Sequence, residues 1–438
     1  VGAEMPMTSD QVIWSEQNRL HIAYKKAQFT NAGAAGDVDG TVVLDLSATG
    51  ADAPTGAIRV GQTILISDNA TGLVVQKALV QGIADPISGG GNASDLLVKI
   101  YGTTTPNAAF ANAGSANVFV YGSDFGKGTT GMEGSIEPSF TQYSNSPIIM
   151  KDNFKINGSD TAQIGWVEVA TEDGQSGYLW YLKSESETRL RFEDQLEMAM
   201  VEAEFMDPND PYNSGKNFDF PTASTSQAIK GSEGLFAAIE ERGNVYSGFA
   251  GAAAPGSGAL GDFDEILKNL DKQGAIEENM LFLSRATALD FDDMIAAVNG
   301  GFASTQAASF GLFENDGDMA LNFGFSGFRR GSYDFYKTDW KYLNDASLRG
   351  LSKEIDGVLV PAGTTTVYDQ MLGSNIRRPF LHVRYRASET EDRRMKSWIT
   401  GSVGGAMTDT LDAMTISFLS ERCLVTQAAN NFVLFKGA

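Results

Sequence analysis

Cysteine is almost absent from this chain. Cys423 stands alone among 438 residues, so no intrachain disulfide framework can brace the fold, and a lone thiol fits a reducing compartment. Histidine is nearly as scarce. His21 and His382 have no metal-ligand spacing around them, which leaves zinc sites and histidine-based catalysis without a foundation. No G-x-S-x-G and no H-E-x-x-H occurs. No apolar run approaches the roughly 20 residues a membrane span needs. Positive charge is also short: 33 Lys and Arg against 55 Asp and Glu give a net charge of −22. Phosphate binding rests on Lys and Arg, so nucleic acid is disfavoured as a tightly held ligand. The same charge suits a protein that lies beside nucleic acid without adhering to it. The start, Val1-Gly2-Ala3-Glu4, lacks the basic and apolar regions of a signal peptide, and the missing initiator Met fits a trimmed or processed end.

Three motif fragments fall short of chemistry. Gly122-Ser-Asp-Phe-Gly126-Lys127-Gly128 has three residues between its first glycines where a phosphate loop has four, and Gly128 replaces the magnesium-binding Ser or Thr. Asp37-Val38-Asp39-Gly40 and Asn315-Asp316-Gly317-Asp318 look like pieces of calcium loops. Neither has the downstream bidentate Glu, and turn chemistry explains both. No catalytic residue, cofactor or metal is expected.

What is present is a globular chain, 42% hydrophobic and 20% charged, long enough for two to four domains. Its 48 glycines imply many turns. Residues 1–36 read as an N-terminal arm, anchored by Ile13, Trp14, Leu20, Ile22, Tyr24 and Phe29, with a short helix. In 37–125, short strands are predicted at 41–46, 62–67, 73–79, 96–100 and 117–121. Gly, Asn, Asp, Ser and Thr fill the gaps, the pattern of a small β-sandwich or barrel that could fold alone.

Residues 126–180 read as an extended arm. Ser146-Pro147 leads into Ile148, Met150, Phe154 and Ile156. Asn157-Gly158 suggests a hairpin turn, and Ile164, Trp166, Val167 and Val169 return. A long helix follows, expected from Ser184 to Met206, where Asp207-Pro208 stops it. Phe192, Leu196, Ala199, Met200, Ala203 and Met206 form one apolar stripe. Glu185 and Arg189, and Glu187 and Arg191, are spaced to pair. The stretch 181–235 holds this helix. Within 236–400 an α/β rhythm appears: a helix over 263–270, a strand at 280–283, a helix over 286–298, then strands at 319–328, 333–336, 357–361 and 380–385. Residues 401–438 supply two closing strands, 413–419 and 432–435.

One basic region stands out in an acidic chain: Arg377, Arg378, Arg384, Arg386, Arg393, Arg394 and Lys396, interrupted by Glu389, Glu391 and Asp392. It is either an interface for acidic surfaces of neighbouring subunits or a self-paired face, and the interleaved acids disfavour nucleic acid.

The order N-terminal arm, long β-arm, long helix, α/β domain and closing strands resembles the major capsid proteins of tailed bacteriophages. Val12-Ile13-Trp14-Ser15-Glu16-Gln17 is similar to capsid N-termini of crAss-like and related environmental phages. The run from Glu421 through Cys423 to Phe432 is similar to that family's closing strand pair. The resemblance implies an α+β capsid fold. Residues 137–170 would be the extended E-loop hairpin and 184–206 the spine helix. Residues from about 235 to 399 would be the axial domain, and 413–435 would return to the peripheral domain. The β-sandwich or barrel is an insertion into that plan. The implied function is self-assembly into hexamers and pentamers of an icosahedral head around double-stranded DNA. Partners would be other copies of the chain, with scaffold, portal and decoration proteins, DNA nearby without sequence-specific binding, and no membrane. Implied locations are the host cytoplasm during assembly and then the virion. Expected contacts between subunits are Ile148, Met150, Lys151, Phe154, Lys155, Ile156 and Trp166 on the arm, with Arg377, Arg378, Arg384, Arg386, Arg393 and Arg394. Lys151 and Lys155 could serve in covalent cross-links, for which no partner Asn or catalytic Glu is identifiable. Alternatives are a secreted surface-layer or adhesin-type β-rich protein, which calcium dependence would favour, and an encapsulin-type cellular shell.

Overall fold

The computed structural model describes residues 3–17, 23–31, 38–44, 58–84, 95–133, 140–161, 169–170, 176–177, 180–205, 231–247, 259–274, 276–292, 327–369, 374–403 and 407–437. The chain divides into two compact units. One is Ser15–Thr141; the other joins Val1–Trp14 to Gln142–Ala438. Strand outweighs helix throughout, in an α+β arrangement.

The chain opens with strands β1 (Glu4–Met7) and β2 (Val12–Gln17). The smaller unit is then built on β3 (Ala23–Thr30), β4 (Gly40–Val43), β5 (Gln62–Asp68), β6 (Val75–Ala84), β7 (Asp95–Ile100) and β8 (Ala116–Ser123). These close into a barrel in the order β3-β4-β7-β6-β5-β8. Period-2 alternation turns Phe29, Val42, Ile64, Ile66, Val80, Leu96 and Val98 inward, and Phe110 plugs the interior. The barrel begins before Asp37: its first strand comes from the stretch expected to be an arm with a short helix. Between Tyr24 and Ala27 the register with β8 shifts, and Lys26 takes φ 59° there, a bulge that bends the strand into the barrel wall. In the Gly122–Gly128 fragment, strand β8 ends at Ser123 and Gly128 sits at φ 82°, so this is turn chemistry.

The larger unit continues with β9 (Phe140–Asn145), which pairs β2, and β10 (Ile148–Asn157), followed by one helical turn, α1 (Gly158–Thr161). Next are the short ribbon β11 (Val169–Ala170) with β12 (Ser176–Gly177), and the helix α2 (Trp180–Glu202). Then follow α3 (Leu235–Arg242), β13 (Asn244–Ser247), α4 (Ala259–Gln273), β14 (Glu278–Leu283) and helical residues 285–292. The rest is strand: β15 (Gly327–Arg330), β16 (Tyr333–Asp339), β17 (Ile355–Pro361), β18 (Thr364–Asp369), β19 (Ser374–Pro379), β20 (Leu381–Arg386), β21 (Lys396–Gly401), β22 (Ala413–Thr426) and β23 (Val433–Lys436).

A mixed six-stranded sheet runs β13-β23-β17-β14-β16-β15. On one face α4 and residues 285–292 cover an aromatic core of Phe263, Phe291, Phe328, Phe335 and Phe435. Phe263 meets Phe335 at 5.2 Å between ring centroids. Val358 and Leu434 on the other face join a core with α3, Met200 and Val201 of α2 and Leu424 of β22. The predicted 286–298 helix is described only to residue 292, and of the predicted 319–328 strand only 327–328 are described.

The second sheet, β1-β20-β22-β10 with β21 also on β22, is where expectation and structure part. Ile148–Asn157 is no free hairpin arm. It pairs along its whole length with β22, from Ile148 against Arg422 to Asn157 against Ala413. A type I′ hairpin turn needs φ above zero at both central residues, and neither Asn157 nor Gly158 adopts it. Gly158 instead starts α1 and donates its N–H to the Asp412 carbonyl at 3.1 Å. A Cβ there would meet the exposed Asp412 carboxylate, which would have to turn aside. The first closing strand, read at 413–419, runs on to Thr426 as one 14-residue strand, β22, and the second, read at 432–435, is β23. The helix begins at Trp180 and ends at Glu202, four residues earlier at each end than expected.

Candidate assembly surface

Alternation along β10 sorts its residues. Ile156 is buried, and Ile148, Met150 and Phe154 are half-buried. They pack with Phe192, Leu196, Met414, Ile416 and Phe418, so α2 lies along this face of the sheet. Phe192 stacks on Phe418 at 6.0 Å. Arg191 pairs with Asp152 of β10 at 3.2 Å, and Arg189 pairs with Glu193, not with Glu185. The apolar arm residues expected to bury against another copy are therefore covered from within the chain. Ile149, Lys151, Asn153 and Lys155 point the other way and are exposed. Register places Lys151, Leu419 and Lys396 in one row, and Asn153, Ser417 and Trp398 in the next. Trp398 is 38% exposed and Ile149 54%. This half of the sheet's outer face leaves Ile149 and Trp398 exposed among lysines. Trp166 lies outside the described residues.

Further along the same sheet the arginines gather, and most are engaged within the chain. Glu421 is buried, and its two carboxylate oxygens form ion pairs with Arg386 (3.2 Å) and Arg393 (2.7 Å). Arg386 also reaches Asp10. Glu4 of β1 pairs with Arg394 and, at 3.4 Å, with the buried Arg422. Lys396 pairs with Glu391 at 2.7 Å, which holds that carboxyl below its ordinary range. The N-terminal strand, parallel to β20, is thus clasped by the arginines it reaches. Of the two readings of the basic region, this geometry matches the self-paired one for Arg386, Arg393 and Arg394. Arg377 is exposed on β19 and Arg378 half-buried. Sequence reasoning missed Glu4, Asp10 and Glu421 as partners. Glu4 and Arg422 are 418 positions apart, and no local pattern links them.

Arg384 donates from Nε to His382 Nε2 at 3.2 Å, and the other ring nitrogen, Nδ1, donates to the Pro379 carbonyl at 3.0 Å. Burial, reinforced by the Arg384 charge, pushes the His382 pKa down to about 4. Burial pushes the Cys423 thiol up to about 12, against the pull of Arg384. Both are inert structural groups at neutral pH. Buried Asn145 is a further junction: its Nδ2 donates to the Glu233 and Leu424 carbonyls, and Oδ1 accepts from Ser232 Oγ and the Glu233 N–H. Among the described residues there is no acidic, His or Cys cluster suited to a metal. Asp39 of the calcium-like fragment accepts from the Ile100 N–H at 2.9 Å and pairs with Lys99 at 3.0 Å. The Ile100 hydrogen bond, with Lys99 assisting, holds its pKa low. The Asn315–Asp318 fragment lies outside the described residues. No described helix is long and apolar enough to cross a membrane.

No family model matches the sequence, and no curated protein does. Among solved structures the chain is similar to one of Gordonia phage Cozz, at 10% identity and TM-score 0.36 over 73% of this chain and 78% of that one. It is similar to the capsid structure of cyanophage P-SCSP1u, at 9% identity and TM-score 0.34 over 73% and 80%. A third is the mature capsid of bacteriophage PhiM1, at 7% identity and TM-score 0.36 over 72% and 78%. These neighbours are phage structures. At such scores the likeness carries no weight by itself, and function has to come from the chain's own geometry.

Proposed function

We propose that this chain is the major capsid protein of a tailed bacteriophage, with many copies assembling through hexamers and pentamers into an icosahedral head around double-stranded DNA. One observation carries the reading: β22, near the end of the sequence, returns to pair with β10, which precedes the long helix, while the intervening chain forms the six-stranded α/β sheet. That is the order and return the sequence resemblance implies. In this reading the β10–β22 sheet with α2 is the peripheral domain, and the six-stranded sheet is the axial domain. The extended loop lies between β10 and α2, where the β11–β12 ribbon sits. Lys151, Lys155 and the open face around Trp398 are then contacts between copies, as is the exposed Arg377 of β19. Repeated contacts between unlike patches close into rings, as capsomers require. The net charge of −22 lets packaged DNA lie nearby without adhering. The acidic fragment at Asp39, engaged by Lys99 and Ile100, lends nothing to a calcium-dependent surface layer.

Sedimentation velocity of the expressed chain, alone and with a co-expressed scaffold, tests the proposal. Fast-sedimenting capsomers or shells are expected. A 46.8 kDa monomer under every condition would overturn it.

A further inference from the structure

Most arginines described in the larger unit pair with a carboxylate of the chain itself. Arg378 of β19 and Arg384 of β20 pair with none among the described residues. Register shows why. Arg384 lies between Met5 of β1 and Cys423 of β22, neither of them acidic, and Arg378 lies opposite Thr365 of β18. Thr365 is itself turned to Gln427, its hydroxyl donating to Oε1 at 3.2 Å. Two positions further along β20, Arg386 does find carboxylates, those of Glu421 and Asp10.

His382 links the two arginines. Arg384 donates to His382 Nε2, and His382 Nδ1 donates to the carbonyl of Pro379, the residue after Arg378. Arg384 Nη1 reaches the Pro6 carbonyl at 3.4 Å, and the rest of its fork is uncommitted among the described residues. Arg378 is half-buried, and its Nε is shut off from solvent with no hydrogen-bond partner. Burial first, and the Arg378 charge second, lower the Arg384 pKa, and the Arg378 charge adds to the depression at His382. A guanidinium does not shed its proton at ordinary pH, so relief has to come from an anion. We infer that Arg378 and Arg384 form a binding site for a small, doubly charged oxyanion of the phosphate or sulfate class, held between their N–H forks. A dianion balances both cations where a carboxylate or chloride balances one, and guanidinium forks match its oxygens. A nucleic-acid strand offers the same group with many further charges, which a chain of net charge −22 repels. The inference stands on this pair alone, whether or not the chain builds a shell.

Calorimetric titration of inorganic phosphate into the full chain at pH 7.5, with sodium chloride holding the ionic strength, tests the site. Phosphate is expected to bind saturably at one site per chain, with sulfate competing and a short single-stranded oligothymidylate binding no better than the free ion. Arg378→Gln is expected to weaken phosphate binding about tenfold or more. Arg377→Gln removes the same charge one residue along, on the opposite face of the strand, and is expected to leave binding nearly unchanged. Without phosphate, Arg378→Gln is expected to melt at or above the wild-type temperature, because it removes one of two cations that oppose each other. No saturable binding, equal binding by wild type and Arg378→Gln, equal losses in the two variants, or tighter binding of the oligonucleotide overturns the proposal. So does a lower melting temperature of Arg378→Gln without phosphate, which would mean that Arg378 already has a partner within the chain.

Discussion

Single residues in this chain record burial more than reactivity. Cys423 is fully buried with its pKa pushed up to about 12, so the thiolate that thiol reagents attack is scarce. Ellman's reagent at pH 8 is expected to find no reactive thiol in the native chain and one after denaturation; a stoichiometric native reaction would contradict the packing of β22. His382 gives a pH signature. Its folded pKa of about 4 lies below the ordinary 6.5, so the fold favours the neutral ring. The unfolded chain binds the proton first, and the stability present above pH 6.5 is lost as pH falls towards 4. The loss is on the order of 3 kcal/mol at the acid limit. Melting curves at pH 7 and pH 5 are expected to show a drop that shrinks in His382→Gln. An unchanged drop in that variant would place the acid sensitivity elsewhere.

Elements show how much of the fold was legible beforehand. Five of the six barrel strands were, because short alternating runs bounded by turn residues carry their own signal, but β3 read as an arm with a short helix. Most of the α2 stripe was too, since Phe192, Leu196 and Met200 repeat at helical spacing. The partner of β10 was not. Asn157-Gly158 is the residue pair of a hairpin turn, and only a strand more than 250 residues away reveals that β10 pairs elsewhere. The arginine region was visible as a cluster, but its carboxylates sit on β1 and β22, beyond the reach of local pattern. The consequence concerns mutagenesis. Deleting 146–165 would remove a strand of the sheet core, and so would test folding before assembly. Point changes separate the two. Phe192→Ala is expected to cost about 3–5 kcal/mol of stability, read by denaturant unfolding, because it empties the contact with Phe418. Lys151→Glu with Lys155→Glu, on the exposed face, is expected to leave the melting temperature nearly unchanged while reducing assembly. A large loss of stability in that double variant, or none in Phe192→Ala, would contradict the assignment of the two faces of β10.

At the scale of the whole molecule, what stands out are surfaces, above all the lysine-studded outer face of the β10–β22 sheet. Arg394 and Arg422 are spent on Glu4 and Arg386 on Asp10, which holds the chain's own N-terminal segment, while Arg386 and Arg393 hold Glu421 of β22. The most direct measurement is cryo-electron microscopy of the full chain expressed with and without a scaffold. The account predicts closed shells of fivefold and sixfold capsomers in which the face bearing Lys151 and Lys155 abuts a neighbouring copy. Isolated monomers in every preparation, or shells in which that face meets only solvent, would contradict it.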